Sequence, residues 1–276
     1  MRADDTHAPI VTGYDGSRVS EAALIWAARE AQARYAPLVV CHGWQWPFPT
    51  RPGDPSAMET VKALAEHTLG KGIDVARRHA PGVTVRGWLE LGSASAVLLV
   101  EGAAASMIVL GARGVGGFEG LRLGATAVQV VAHAWCPVVV VPGPSRMSGR
   151  IVVGVDDSHG ETVAMAFAFE QAALHRVPLH AVRAWEEDET ARRAAAAHFH
   201  RLVSAWSEKF PYVSVTTAFV GGSPAEVLLD AARTAGLVVL GNHPRREGAE
   251  ATIGMVTQAV LLGAPCPVAV VRPLPH

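Results

Sequence analysis

Short apolar runs alternate with longer segments in which apolar residues return every three or four positions. In the first half, residues 10–14, 37–44, 83–89, 107–110 and 137–141 read as strands. Between them, 20–35, 56–79, 94–104 and 124–134 read as helices, with Ser20 placed to cap the first and Glu21 suited to its first turn. The runs Val138-Val139-Val140-Val141 and Val238-Val239-Leu240 are apolar without alternation, which suits parallel strands covered on both faces. Strand–helix alternation of this kind predicts an open, doubly wound α/β sheet with right-handed crossovers. Such sheets bind ligands beyond the carboxyl ends of their strands, where the strand order reverses.

The pattern occurs twice. Ile10-Val11-Thr12-Gly13-Tyr14-Asp15 returns as Val152-Val153-Gly154-Val155-Asp156, and Val40-Cys41-His42-Gly43-Trp44 as Val182-Arg183-Ala184-Trp185. Gly92-Ser93-Ala94 returns as Gly222-Ser223-Pro224, Ile108-Val109-Leu110-Gly111 as Val238-Val239-Leu240-Gly241, and Cys136-Pro137-Val138 as Cys266-Pro267-Val268. Five blocks in one order predict two copies of one domain, 1–146 and 147–276, joined by a stretch rich in Pro, Gly and Ser at 142–149. The second copy's second helix is expected near 190–210.

The segment 111–124 carries the candidate chemistry. A strand precedes it, a helix follows it, and Gly111, Gly114, Gly116, Gly117, Gly120 and Gly124 lie within it. Glycine permits positive φ and inward-turned N–H groups, and a helix start adds unpaired N–H groups and the positive end of its dipole. That combination seats phosphate, and Arg113 adds a fixed positive charge; a plain surface connection is the competing reading. The segment has no Lys-Ser/Thr ending, so it is not a P-loop, and its first glycines are three apart, unlike the common dinucleotide fingerprint.

Asp15 leaves the first strand in Tyr14-Asp15-Gly16-Ser17 and is open to two readings: a carboxylate for a sugar hydroxyl or cation, or a cap on an Asp-Gly turn. Gly43 either offers main-chain groups to a base edge or ends a strand. Trp44 and Trp185 read as packing residues rather than ligand stackers. In the second copy the loop runs Gly241-Asn242-His243-Pro244, and Met255 follows Gly254. Pro244 lacks an N–H and Met255 offers no hydroxyl. If a single site works, it is expected in the first half.

Composition narrows the partners. The chain has 276 residues, half of them hydrophobic, with 24 basic and 25 acidic side chains. A charge near zero points to no nucleic acid and no membrane surface. No apolar run is long enough for a membrane span, and the polar, acidic start shows no secretory signal, so a cytoplasmic protein is expected. Cys41, Cys136 and Cys266 adjoin apolar strands at no metal-ligand spacing and read as buried, inert thiols. The twelve histidines form no recognisable site.

These blocks together resemble the universal stress protein family in its tandem form. The resemblance spans both halves and rests on the Gly-x-x-Gly-x9-Gly spacing at Gly111, Gly114 and Gly124, on Val11 to Ser17, on Cys41-His42-Gly43-Trp44 and on Cys136 to Val141. It implies a five-stranded parallel sheet per domain in the order 3-2-1-4-5, with helices on both faces. It also implies an adenine nucleotide, ATP with or without Mg2+, in the crevice, and a role in stress response and growth regulation rather than in metabolism. On that likeness Asp15 would face the ribose, with Gly13 and the main chain of Gly43 at the adenine. Leu110 and Gly111 would line the floor, Arg113 and Gly114 would meet the phosphates, and Gly124, Ala125 and Thr126 would close the triphosphate seat. The family usually places Ser or Thr where this chain has Ala125, and Thr126 is expected to point elsewhere. The corresponding positions in the second half are Asp156, Ala184, Gly241 and Gly254. The likeness further implies pairing of the two domains along their fifth strands, with a homodimer left open.

Three functions compete: a nucleotide-binding regulatory protein, an enzyme that cleaves ATP or adenylates with it, and an interaction protein that has lost nucleotide. No nucleophile–base pair stands near the loop, and Gly16-Ser17-Arg18-Val19-Ser20 is too poor in glycine for a phosphate loop after the first strand. Both features favour the first.

Overall fold

The computed structural model describes residues 8–46, 55–115, 122–144, 149–156, 161–185, 189–242 and 252–273. The chain divides into two compact units, Met1–Pro144 and Ser145–His276. The first runs β1 (Ile10–Gly13), α1 (Arg18–Arg34), β2 (Leu38–Trp44), α2 (Pro55–His79), β3 (Val85–Leu91), α3 (Ala94–Gly102), β4 (Met107–Gly111), α4 (Ala125–His133) and β5 (Val138–Val141). Its strands pair in parallel in the order β3-β2-β1-β4-β5. Helices α1 and α2 pack together on one face and α3 and α4 on the other.

The second unit repeats the plan: β6 (Arg150–Gly154), α5 (Glu161–His175), β7 (Leu179–Trp185), α6 (Glu189–Lys209), β8 (Val215–Gly221), α7 (Pro224–Ala232), β9 (Ala235–Gly241), α8 (Met255–Gly263) and β10 (Val268–Val271). Its order, β8-β7-β6-β9-β10, is the same and again all parallel.

Strands form where the apolar runs allow burial on both faces. Every residue of β5 and of β10 is buried, as are Met107 to Leu110 of β4. The edge strands β3 and β8 are mostly exposed or half-buried, in keeping with their mixed composition.

Helix α1 starts two residues before its expected start and is capped by Ser17, not Ser20. Ser17 Oγ accepts from the Ser20 N–H at 3.1 Å, while the buried Ser20 hydroxyl donates to the Ser17 carbonyl at 3.0 Å. Both serines suit a cap; Ser17 takes it because its backbone is extended while the helix is already under way at Ser20. Tyr35 closes the helix in the left-handed region at φ 53°.

Trp185 acts as packing: its ring stacks on Phe219 at 6.3 Å, and Arg192 lies over it at 4.6 Å. The three cysteines are free and buried, and burial pushes the Cys41 thiol up to about 12 and those of Cys136 and Cys266 up to about 11.

Candidate functional site

Strand β1 lies between β2 and β4, so the strand order reverses beside it. The register pairs Val11 with Ile108 and Thr12 with Val109, which sets Asp15 level with Ala112. The β1–α1 and β4–α4 connections therefore meet at the carboxyl ends of two adjacent strands.

Asp15 ties them together. Its Oδ1 accepts from the Ser17 N–H at 3.0 Å, and its Oδ2 accepts from the Val115 N–H at 2.8 Å, across 100 positions of sequence. Of the two readings left open for this carboxylate, the turn cap is present in the bond from Ser17, and the carboxylate also holds the glycine segment through Val115. Partial burial works against the charged form, but hydrogen bonding with Ser17, Ser20 and Val115 outweighs it and holds the carboxyl below its ordinary value.

The glycines earn their places through proximity. Among the described residues, positive φ at glycine occurs at Gly16, Gly82, Gly149 and Gly222, and not at Gly111, Gly114 or Gly124. A Cβ on Gly114 would lie 2.4 Å from Asp15 Oδ2. One on Gly111 would meet Val19 Cγ1 at 3.0 Å and the Ser20 nitrogen at 3.1 Å. One on Gly43 would have the Ala94 nitrogen, the Ala94 Cα and the Gly92 carbonyl at 3.0 Å each. These positions need the absent side chain more than a left-handed backbone.

A cleft opens at this junction. Gly13, Asp15, Gly43, Leu110, Gly111, Arg113, Gly114 and Thr126 line it. Thr126, expected to point elsewhere, is among the residues that line the cleft. Gly124 and Ala125 are not on the lining. The Gly124 N–H donates to the Ala112 carbonyl at 2.8 Å, which pins the loop's end to its beginning. Sequence reasoning missed Ser20, Cys41, Ala94 and Leu98, which also line the cleft. Their signal lay in the register, since Cys41 pairs with Gly13. The cavity is about 80 Å³, well below the roughly 300 Å³ at which small-molecule pockets begin.

The second unit builds the same junction on a different scale. Asp156, Ala184, Gly241 and Gly254 all line a cleft of about 460 Å³, together with Asn242, Met255 and Thr257. Gly116, Gly117, Gly120, His243 and Pro244 lie outside the described residues. The expectation of a single site in the first half therefore meets a larger cavity in the second. Sequence reasoning passed over Asn242 and Thr257, although the repeat sets them against Ala112 and Ala127, two apolar-to-polar exchanges at one corner.

Among the described residues, no group of three or more His, Cys, Asp or Glu side chains is placed to hold a metal ion. No described helix is long and apolar enough to cross a membrane.

Two parallel sheets of one topology, each with a cleft at its switch point, define a doubled dinucleotide-fold-like module. The model of the universal stress protein family matches residues 7–142 and again 147–272, and the chain belongs to that family. It is 31% identical over 289 residues to a universal stress protein of Mycolicibacterium smegmatis, covering 96% of this chain and 97% of that one. A universal stress protein of Mycobacterium tuberculosis is 31% identical over 314 residues, covering 99% and 97%. Among solved structures, a universal stress protein from Archaeoglobus fulgidus superposes with a TM-score of 0.75 at 16% identity, covering 96% of this chain and 98% of that one. A Pseudomonas aeruginosa protein gives 0.68 at 16% identity, over 98% and 94%.

Proposed function

We propose that the chain is a regulatory protein that binds an adenine nucleotide, ATP by preference, in the first cleft. The observation that carries the reading is the Asp15 carboxylate, held charged at the strand-order switch point and in contact with the main chain of the glycine segment. A ribose hydroxyl is the natural competitor for the Val115 N–H on that carboxylate. Gly13, Gly43 and Leu110 offer a narrow floor for a flat ring, and Arg113 and the start of α4 offer charge and amides to phosphate. At about 80 Å³ the cleft is smaller than a nucleotide, so the reading requires the 113–115 segment to shift away from Asp15 on binding. Membership of the family supports regulation over catalysis, and the reading includes a cytoplasmic location and Mg2+ only as an accompaniment of ATP.

A second reading is favoured by one specific feature. The Gly124 amide is spent on Ala112, and Ala125 supplies no hydroxyl, so the seat for distal phosphates is poor. An interaction protein without nucleotide would have such a cleft. Mass spectrometry of small molecules released from the purified, denatured chain separates the two. Adenine nucleotide near one per chain, or a thermal shift with ATP and Mg2+, supports the first; neither signal leaves the second.

A further inference from the structure

The second unit has another cavity, on the face of β7 and β8 that α6 does not cover. Phe219 of β8 packs on Phe199 of α6 with 6.2 Å between ring centroids, so its neighbours Ala218 and Val220 point to the opposite face. His180 and Val182 of β7 pair with Thr216 and Ala218 and share that face. Helix α7 packs across β7 beside them. A groove of about 540 Å³ lies between helix and strands, within the size range of small-molecule pockets. Its floor is apolar, from Val182, Ala218 and Val227, and Arg150 and His180 stand on its wall. Only Val182 is common to this groove and the cleft at the switch point.

The polar groups of the groove are arranged unevenly. His180 Nδ1 lies 2.8 Å from Thr216 Oγ1, and that hydroxyl donates to the Leu179 carbonyl at 3.4 Å. With its own hydrogen spent there, the hydroxyl accepts from Nδ1–H, and Nε2 of the neutral ring carries the lone pair. Burial, and after it the charge of Arg150, holds the imidazole below its ordinary value. The Arg150 side chain has no hydrogen bond or ion pair among the described residues. The other charges on the groove belong to α7. Arg233 pairs with Asp230 at 3.4 Å, and Glu226 stands in the helix's first turn. Ala235, which pairs with Arg150, follows the other end of α7, so Glu226 and Arg150 mark opposite ends of the groove. The repeat sets Pro9 against Arg150, Val39 against His180, Trp88 against Ala218 and Val100 against Asp230. The first unit therefore lacks these charges and carries an indole where the second has a methyl group.

We propose that this groove binds a small monocarboxylate with an apolar body, its carboxylate between Arg150 and His180 and its body over Val182, Ala218 and Val227. A guanidinium fork suits the two oxygens of a carboxylate. One cation without a counter-ion, with Asp230 and Glu226 further along, favours a single negative charge over two. The arriving carboxylate favours a protonated His180, whose Nε2–H then donates to it, so binding takes up a proton and strengthens as pH falls. The inference is independent of nucleotide binding in either cleft.

The test titrates the full chain with octanoate. Acetate lacks the body, octanol lacks the charge, and octyl phosphate carries more charge than one carboxylate. Calorimetry gives the affinity, and the His180 ring signal in proton–carbon NMR spectra, assigned by its loss in His180→Gln, reports the place. Octanoate is expected to shift that signal and to bind more tightly as pH falls from about 8 to about 6. Acetate, octanol and octyl phosphate should each bind roughly tenfold or more weakly, and Arg150→Met should weaken octanoate by roughly tenfold. Ala218→Trp, which installs the first unit's residue, should abolish the His180 response; if that variant does not fold, Arg150→Met decides. No His180 response to millimolar octanoate, octanol or octyl phosphate as effective as octanoate, a response that survives in folded Ala218→Trp, or an unchanged affinity in folded Arg150→Met overturns the proposal.

Discussion

Replacing Gly114 by alanine tests whether the glycine segment is held by Asp15. The added Cβ would stand 2.4 Å from Asp15 Oδ2, and real Cβ atoms essentially never approach a heavy atom within 3.0 Å. The carboxylate is fixed on its other side by Ser17, so the loop must retreat by about 0.6 Å, the difference between those distances. The Val115 N–H to Oδ2 distance of 2.8 Å would then grow to about 3.4 Å, beyond the usual range. A hydrogen bond to a charged group contributes about 1.5–3 kcal/mol, and exposure of Val115 lowers this to about 1–2 kcal/mol. Backbone strain adds nothing, since Gly114 does not have positive φ. Urea unfolding of the parent, Gly114→Ala, Asp15→Asn and the double variant forms a mutant cycle. If the loop is latched on Asp15, the double variant loses little more than either single one. Additive losses, or a Gly114→Ala variant as stable as the parent, would refute the reasoning.

Asp15 also predicts a pH dependence. Its carboxyl is depressed in the folded protein, so its contribution is fully present above the ordinary carboxylate range and fades as pH falls through the folded value. The stability gap between the parent and Asp15→Asn should therefore be largest near neutrality and shrink below about pH 4; a gap independent of pH in urea titrations would contradict this. The buried cysteines, with thiols at about 12, 11 and 11, should resist a thiol-specific reagent at pH 8 in the native protein and all react in denaturant. Rapid native labelling of any one of the three would contradict its burial.

The doubled sheet could be read from apolar run length and the repeat because buried parallel strands demand uninterrupted Val, Ile and Leu, as in 138–141 and 268–271. The junction of Asp15 with the glycine segment followed from strand order, which the family resemblance implied and periodicity did not. What escaped was local. Ser17 and Ser20 both have the chemistry of a cap, and only backbone conformation separates them. Counting positions along a helix sends Thr126 away from the seat, yet it is among the residues that line the cleft. The glycine segment suggests backbone freedom, but Gly114 does not have positive φ and instead allows close approach to the Asp15 carboxylate.

Calorimetric titration of ATP with Mg2+ into the full chain and into Gly114→Pro tests the central claim most directly. Proline at 114 removes an amide and, by fixing φ, dislodges the segment that meets Asp15. The account predicts one binding event in the parent that is lost in the variant. An unchanged affinity in folded Gly114→Pro would contradict it.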